Sequence, residues 1–274
     1  MSKQRIEEQL EKRILIIDGA MGTMIQNADL SPEDFGGEEF DGCNEYLNIV
    51  KPEVIESVHD AYLEAGADIL CTNTFGGTPV VLDEYGLGDQ AAEINRRAVE
   101  IAKKSAAKIS TPDWPRFVAG AIGPTTKTLS VTGGITFDEL RENFYVQAKA
   151  LVEGGADLIL LETSQDMLNV KAATIGIKQA FAETGIELPI MVSGTIEPMG
   201  TTLAGQSIEA FYISIEHVKP LSVGLNCATG PEFMTDHIRS LSELSDGYVS
   251  CYRMPDCRMK KGITMKHRNR CRKS

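Results

Sequence analysis

No apolar run in this sequence approaches the roughly 20 residues that a membrane-spanning helix requires. The strongest, Ile14–Ile17 and Leu158–Leu161, are four residues long. The N-terminus, MSKQRIEEQLEKR, is charged throughout and lacks the apolar core of a secretion signal, so a cytoplasmic chain is expected. The HExxH, nucleophile-elbow, P-loop and Rossmann patterns are all missing. The six cysteines, at positions 43, 71, 227, 251, 257 and 271, follow no zinc-site spacing and include no adjacent pair. In a cytosolic chain they read as reduced thiols or metal ligands rather than disulfides.

Acidic residues are nearly absent from one stretch. Residues 253–274 hold nine of the 27 Lys and Arg but only one of the 39 Asp and Glu, which leaves that stretch at +8 and residues 1–252 at −20. A body so acidic repels nucleic acid and anionic membranes, and neither is expected as a partner. The basic tail alone would permit such a binding arm. It has no helical or strand period and is expected to be disordered. Residues 1–252 form the expected domain.

What is present is a regular alternation. Apolar, β-branched runs at 14–17, 69–72, 117–121, 158–162, 189–194, 221–227 and 247–252 predict seven strands. Segments of helical period lie between them at 52–65, 89–107, 137–154, 166–184, 207–218 and 231–245. Pro52 and Pro231 suit first turns, Thr136-Phe-Asp-Glu139 reads as a capping box, and Gly66, Gly155 and Gly185 suit left-handed C-caps. One unit occurs twice: Glu64-Ala-Gly-Ala-Asp68 and Glu153-Gly-Gly-Ala-Asp157 each precede an apolar strand that ends on a polar residue. Buried strands alternating with helices make a parallel α/β sheet. With no nucleotide fingerprint, a TIM-type (β/α)8 barrel outranks a doubly wound sheet at about 250 residues. Seven strands are recognisable and the eighth β/α unit is missing, so the barrel is expected to be incomplete.

Function in such a barrel sits where strands end and βα loops begin. Asp18 and Glu162 occupy strand ends and would face one mouth, to hold an ammonium group or a proton. Either could instead cap a helix or pair with a loop N–H. Gly19-Ala20-Met21-Gly22-Thr23 is a tight turn whose N–H groups can receive a carboxylate or phosphate, or else simply pack closely. The acidic connection from Asn27 to Val50 has the length of a functional lid or a partly disordered loop. Cys227 ends a strand beside Asn226 and is the thiol best placed for chemistry. Cys71, inside a strand, reads as core.

The runs IDGAMGTMIQ (17–26), CNEYLN (43–48), GADILCTNTFGG (66–77), GAIGPT (120–125), GGADLILLETSQD (154–166) and GLNCATGP (224–231) resemble the homocysteine-binding module of cobalamin-dependent methionine synthase. That module belongs among the homocysteine S-methyltransferases, which include betaine- and S-methylmethionine-type enzymes. The resemblance runs from about residue 5 to Tyr252. It implies a methyltransferase in which zinc on three cysteine thiolates activates the homocysteine thiol, with Cys227 as the first ligand. It assigns the substrate ammonium to Asp18 and Glu162, its carboxylate to Gly19, Ala20, Met21, Gly22 and Thr23, and pocket shape to Asn226. Methylcobalamin would donate the methyl group from a separate module, recharged on a folate-binding module, and neither module is in this chain.

One departure stands out. The family's other two zinc ligands are adjacent cysteines on the eighth strand, and this sequence has no such pair. The resemblance stops at the charge break. Shifted by one base, permitted codons for the tail read PNAGLPDEEGHYHE, an acidic loop in the family's manner, so a frameshift and truncation after about Tyr252 is the expectation. The competing expectation is a non-catalytic remnant of the module.

Overall fold

The computed structural model describes residues 2–226 and 231–252. Cys227 and the basic tail therefore lie outside the described residues. Six parallel strands form one sheet in sequential order: β1 (Ile69–Cys71), β2 (Phe117–Ile122), β3 (Leu158–Ser164), β4 (Ile190–Gly194), β5 (Ser222–Asn226) and β6 (Tyr248–Tyr252). Helix α1 (Ser2–Leu10) and a short helix α2 (Met21–Gln26) come first. Helices α3 (Pro52–Glu64), α4 (Ala91–Ile109), α5 (Phe137–Glu153), α6 (Met167–Thr184), α7 (Ile208–Ile215) and α8 (Pro231–Leu244) alternate with the strands. The sheet curls as an incomplete TIM-type barrel, as the alternation predicts. Among the described residues no helix is long and apolar enough to cross a membrane.

Strand alternation divides the core in two. Leu70, Val118, Ile122, Ile159, Leu161, Val192, Val223 and Leu225 point outward into one continuous cluster with the helices, which Phe144, Leu151, Ile177 and Phe211 help fill. Ile69, Phe117, Ala119, Leu158, Leu160 and Met191 point inward, where Ile6 of α1 joins them. Two buried faces explain why these strands are apolar without interruption. The end signals hold as well. Thr136 and Glu139 form a reciprocal capping box, and Gly66, Gly155 and Gly185 have φ of 100°, 89° and 67°.

Two expectations change. Ile14–Ile17 is not a strand of the sheet: it touches β1 through a single bridge, Ile17 to Ile69. The Asp68 carboxylate takes the Ile16 N–H at 2.9 Å, so a side chain stands where a ladder bond would continue. Ile14 is 88% exposed, and a cleft of about 620 Å³ separates this stretch from β6. The connection 27–50 is not a loose lid either. It folds into short 3-10 turns (Pro32–Phe35, Glu38–Phe40, Asn44–Tyr46) that bury Phe35, Cys43 and Leu47. Its Glu45 accepts the Gly76 N–H at 2.6 Å, pinning it to the loop after β1.

The repeated Asp has one job in both copies. Asp68 receives the N–H of Ile16 and the guanidinium of Arg13, at 2.6 and 2.8 Å. Asp157 receives the N–H of Val118 at 2.9 Å and the Lys103 ammonium at 2.9 and 3.0 Å. Each ties the start of its own strand to the segment before it and neutralises the buried charge with a cation.

Candidate functional site at the mouth of the half-barrel

Asp18, just after the Ile17–Ile69 bridge, and Glu162, near the end of β3, lie close enough for their charges to interact. The Asp18 N–H donates to Ile69 O at 2.9 Å, and its Oδ2 accepts the Cys71 N–H at 2.9 Å. Asp18 therefore pairs with a strand N–H through one oxygen. Its other oxygen, Oδ1, is buried with no hydrogen-bond partner. Glu162 lies near the end of β3 and accepts the Tyr252 hydroxyl on Oε2 at 2.8 Å.

Burial pushes the Asp18 carboxyl up to about 7, the two bonds from Cys71 pull against it, and the nearby Glu162 charge adds to it. Burial likewise pushes Glu162 up to about 7, against the pull of the Tyr252 hydroxyl. Among the described residues neither carboxylate has a Lys, Arg or His partner. An isolated buried carboxylate is costly and demands a counter-charge or a proton. Two such groups at the functional end of a barrel are a site made for a cation or for two shared protons.

Neighbouring residues fix this pair in position. A Cβ at Gly19 would meet the Tyr62 hydroxyl at 2.7 Å, so the turn after Asp18 runs close against the Tyr62 side chain of α3. Ala20 enters α2 in an extended conformation, with no side-chain cap over the first N–H groups. Those N–H groups, on Met21, Gly22 and Thr23, have no intrahelical acceptor.

Just after Glu162, still within β3, the strand is irregular. Thr163 has φ of 56°, a conformation that a β-branched residue adopts only under strain, and the β3–β4 register shifts here. Asn226 holds this irregularity. Its Oδ1 accepts the Thr163 N–H at 3.0 Å and also the Ser193 hydroxyl, while its Nδ2 donates to Thr163 Oγ1 at 2.8 Å. Asn226 is wholly buried, so it acts on the site through Thr163.

The three cysteines among the described residues do not gather. Cys71 is on the inner face beside the two carboxylates, where burial and then the Asp18 and Glu162 charges push its thiol well above its ordinary value. Cys43 is buried under the 27–50 connection, and Cys251 is exposed on β6. No group of three or more His, Cys, Asp or Glu able to hold a metal occurs among the described residues. The described donors therefore do not fit a zinc site. Cys227, the ligand expected from sequence, lies outside them.

Tyr252, Tyr62 and Ser193 are neighbours of the candidate site that the sequence did not single out. Tyr252 could have been found, since it ends a strand on the same side. The backbone angle of Thr163 could not, because no residue type announces it.

Residues 15–268 match the family model described as homocysteine S-methyltransferase, a range that runs past Tyr252. Among solved structures, the oxidized form of the homocysteine methyltransferase MmuM from Escherichia coli superposes with a TM-score of 0.75 at 22% identity. That match covers 90% of this chain and 84% of the other. The metallated form gives 0.75 at 20% identity, covering 90% and 85%. The apo form gives 0.68 at 21%, covering 89% and 83%. At these identities the superpositions establish a shared fold.

Proposed function

The chain belongs to the homocysteine S-methyltransferase family, and from that premise we propose that its half-barrel mouth binds homocysteine, with Asp18 and Glu162 sharing the ammonium group. The observation that carries this is the pair of buried carboxylates raised to about 7, with no cation of the described chain to neutralise them. The substrate's own positive charge is what such a pair lacks. A charge-assisted hydrogen bond to the open Asp18 Oδ1 would complete that side chain. The N–H groups of Gly19, Ala20, Met21, Gly22 and Thr23, in the segment that follows Asp18, would receive the substrate carboxylate. Asn226 supports the far wall through Thr163.

The finer reading is a methionine-synthase type of module, with methylcobalamin as donor on a separate cobalamin-binding module and a folate-binding module behind it. The motifs in combination resemble that type, and their Asp-Gly, Glu-Thr and Asn-Cys elements are shared with the wider family, betaine-dependent enzymes included. The basic stretch 253–274 is read as out of frame with the family pattern and the domain as ending near Tyr252, although the family match itself runs on to residue 268. The second reading is a non-catalytic remnant of that module, and the lack of an adjacent cysteine pair in the sequence favours it.

Binding and chemistry separate experimentally. In calorimetric titrations at neutral pH, homocysteine should bind at least about tenfold more tightly than its deaminated analogue, the effect of one charge-assisted hydrogen bond. Equal affinities would refute the ammonium site. Metal analysis tests the rest. Thiolate number drives zinc affinity, so purified protein is expected to carry well under one zinc per chain. A full equivalent of zinc, lost on Cys227→Ala, would restore the catalytic reading.

A further inference from the structure

We propose that Tyr252 is a positioning residue for Glu162, holding one carboxylate oxygen so that the other is presented, ionised, to the substrate ammonium. This rests on Glu162 being an ammonium site. Tyr252 ends β6, at the opposite edge of the sheet from β1, and its hydroxyl crosses the inner face to donate to Glu162 Oε2 at 2.8 Å. Its ring packs with the inward cluster of Ile69, Leu160 and Met191, which fixes where the hydroxyl can reach. Ser193 lies near the phenol and donates to Asn226, which bonds Thr163, the residue that follows Glu162. Glu162 is thus held at its tip by Tyr252, and the next residue's backbone is held by Asn226.

The phenol suits this task for a definite reason. Burial, the Glu162 and Cys71 charges and the bond to Glu162 push its own ionisation far upward, so it remains a donor throughout the working range. The titratable groups that face Glu162 are Asp18 beside β1, Cys71 on β1 and Tyr252 on β6. Of these only Tyr252 favours the charged carboxylate. Asp18 opposes it, and so does any Cys71 thiolate.

The test is Tyr252→Phe, which keeps the ring in the inward cluster and removes only the donor. Two measurements are made: homocysteine affinity from pH 6 to 9, and the Glu162 carboxyl titration by carbon NMR in the unliganded protein. The variant should bind homocysteine about tenfold more weakly near pH 7 and recover toward wild type at the alkaline end. Its Glu162 titration should move upward. In a Glu162→Gln background the same substitution should add nothing. A wild-type affinity profile, an unmoved titration, or a loss that adds fully to that of Glu162→Gln would each overturn the proposal. Failure of the ammonium reading looks different: wild-type protein would then not distinguish homocysteine from its deaminated analogue, whatever Tyr252 does to the Glu162 titration.

Discussion

Glu162→Gln is expected to weaken homocysteine binding about a hundredfold near neutral pH, because truncating one partner of a buried, hydrogen-bonded charge pair costs roughly 2–5 kcal/mol. The same substitution should make the unliganded protein more stable there. Asp18 and Glu162 are raised from 3.8 and 4.5 to about 7 in the folded chain. Between those limits the native state holds more protons than the unfolded one, so stability falls as pH rises. The penalty is absent below about pH 4 and fully present above about pH 7. Thermal melts of the unliganded protein from pH 5 to 8 should show this decline, and Glu162→Gln should flatten it. Homocysteine should reverse it in the wild type. A variant that loses binding together with stability would point to misfolding rather than to a lost charge. Sites that trade stability for function in this way are common in proteins.

Asp68→Ala is expected to cost about 3–5 kcal/mol, the loss that follows when one partner of a buried ion pair is removed. Asp68 is 1% exposed, and its carboxylate collects the Arg13 guanidinium, the Ile16 N–H and the Trp114 indole N–H, the last at 2.7 Å. Burial alone would raise its pKa, but these donors outweigh burial and hold it below the usual range. Its contribution is therefore present at neutral pH and lost only in acid, as pH falls through its folded value. Removal strands the half-buried Arg13, which also lies 4.7 Å from the centre of the Trp114 ring. The 13–17 stretch, joined to the sheet by one bridge, should detach first. Chemical denaturation measures the total, and hydrogen exchange at Ile16 and Asp18 should rise before global unfolding. A loss under about 1 kcal/mol would mean that the bridge and Ile6 hold this stretch without the carboxylate.

The strands and helices that could be read from sequence are those whose signals are local. Phe117–Ile122 and Leu158–Leu161 are continuous apolar runs, and Phe137–Glu153 opens on its capping box. Glu162 was legible for a related reason: a polar residue ending an apolar run of a parallel barrel stands at its mouth, whereas Asp18 follows a stretch that only bridges β1. What escaped depends on distant partners. Ile14–Ile17 has the composition of a strand, yet a carboxylate 52 residues away occupies its N–H. Glu162 and Tyr252 meet across 90 residues. The charged N-terminus forms α1 because Ile6 finds the inward cluster, which no local period reveals. The connection 27–50 looked like a lid because its apolar residues are sparse, but Phe35 and Leu47 are enough to pack it down.

The half-barrel is an arc, and an arc can splay. Asp18 stands at one limb beside β1, Glu162 near the crown, and Tyr252 on the other limb. The Tyr252 bond already ties crown to limb like half of a bowstring. A bound ammonium joining Asp18 to Glu162 would supply the other half. Curvature of the sheet and occupancy of the site are then a single mechanical variable: whatever flattens the arc weakens the ligand, and the ligand draws the arc closed.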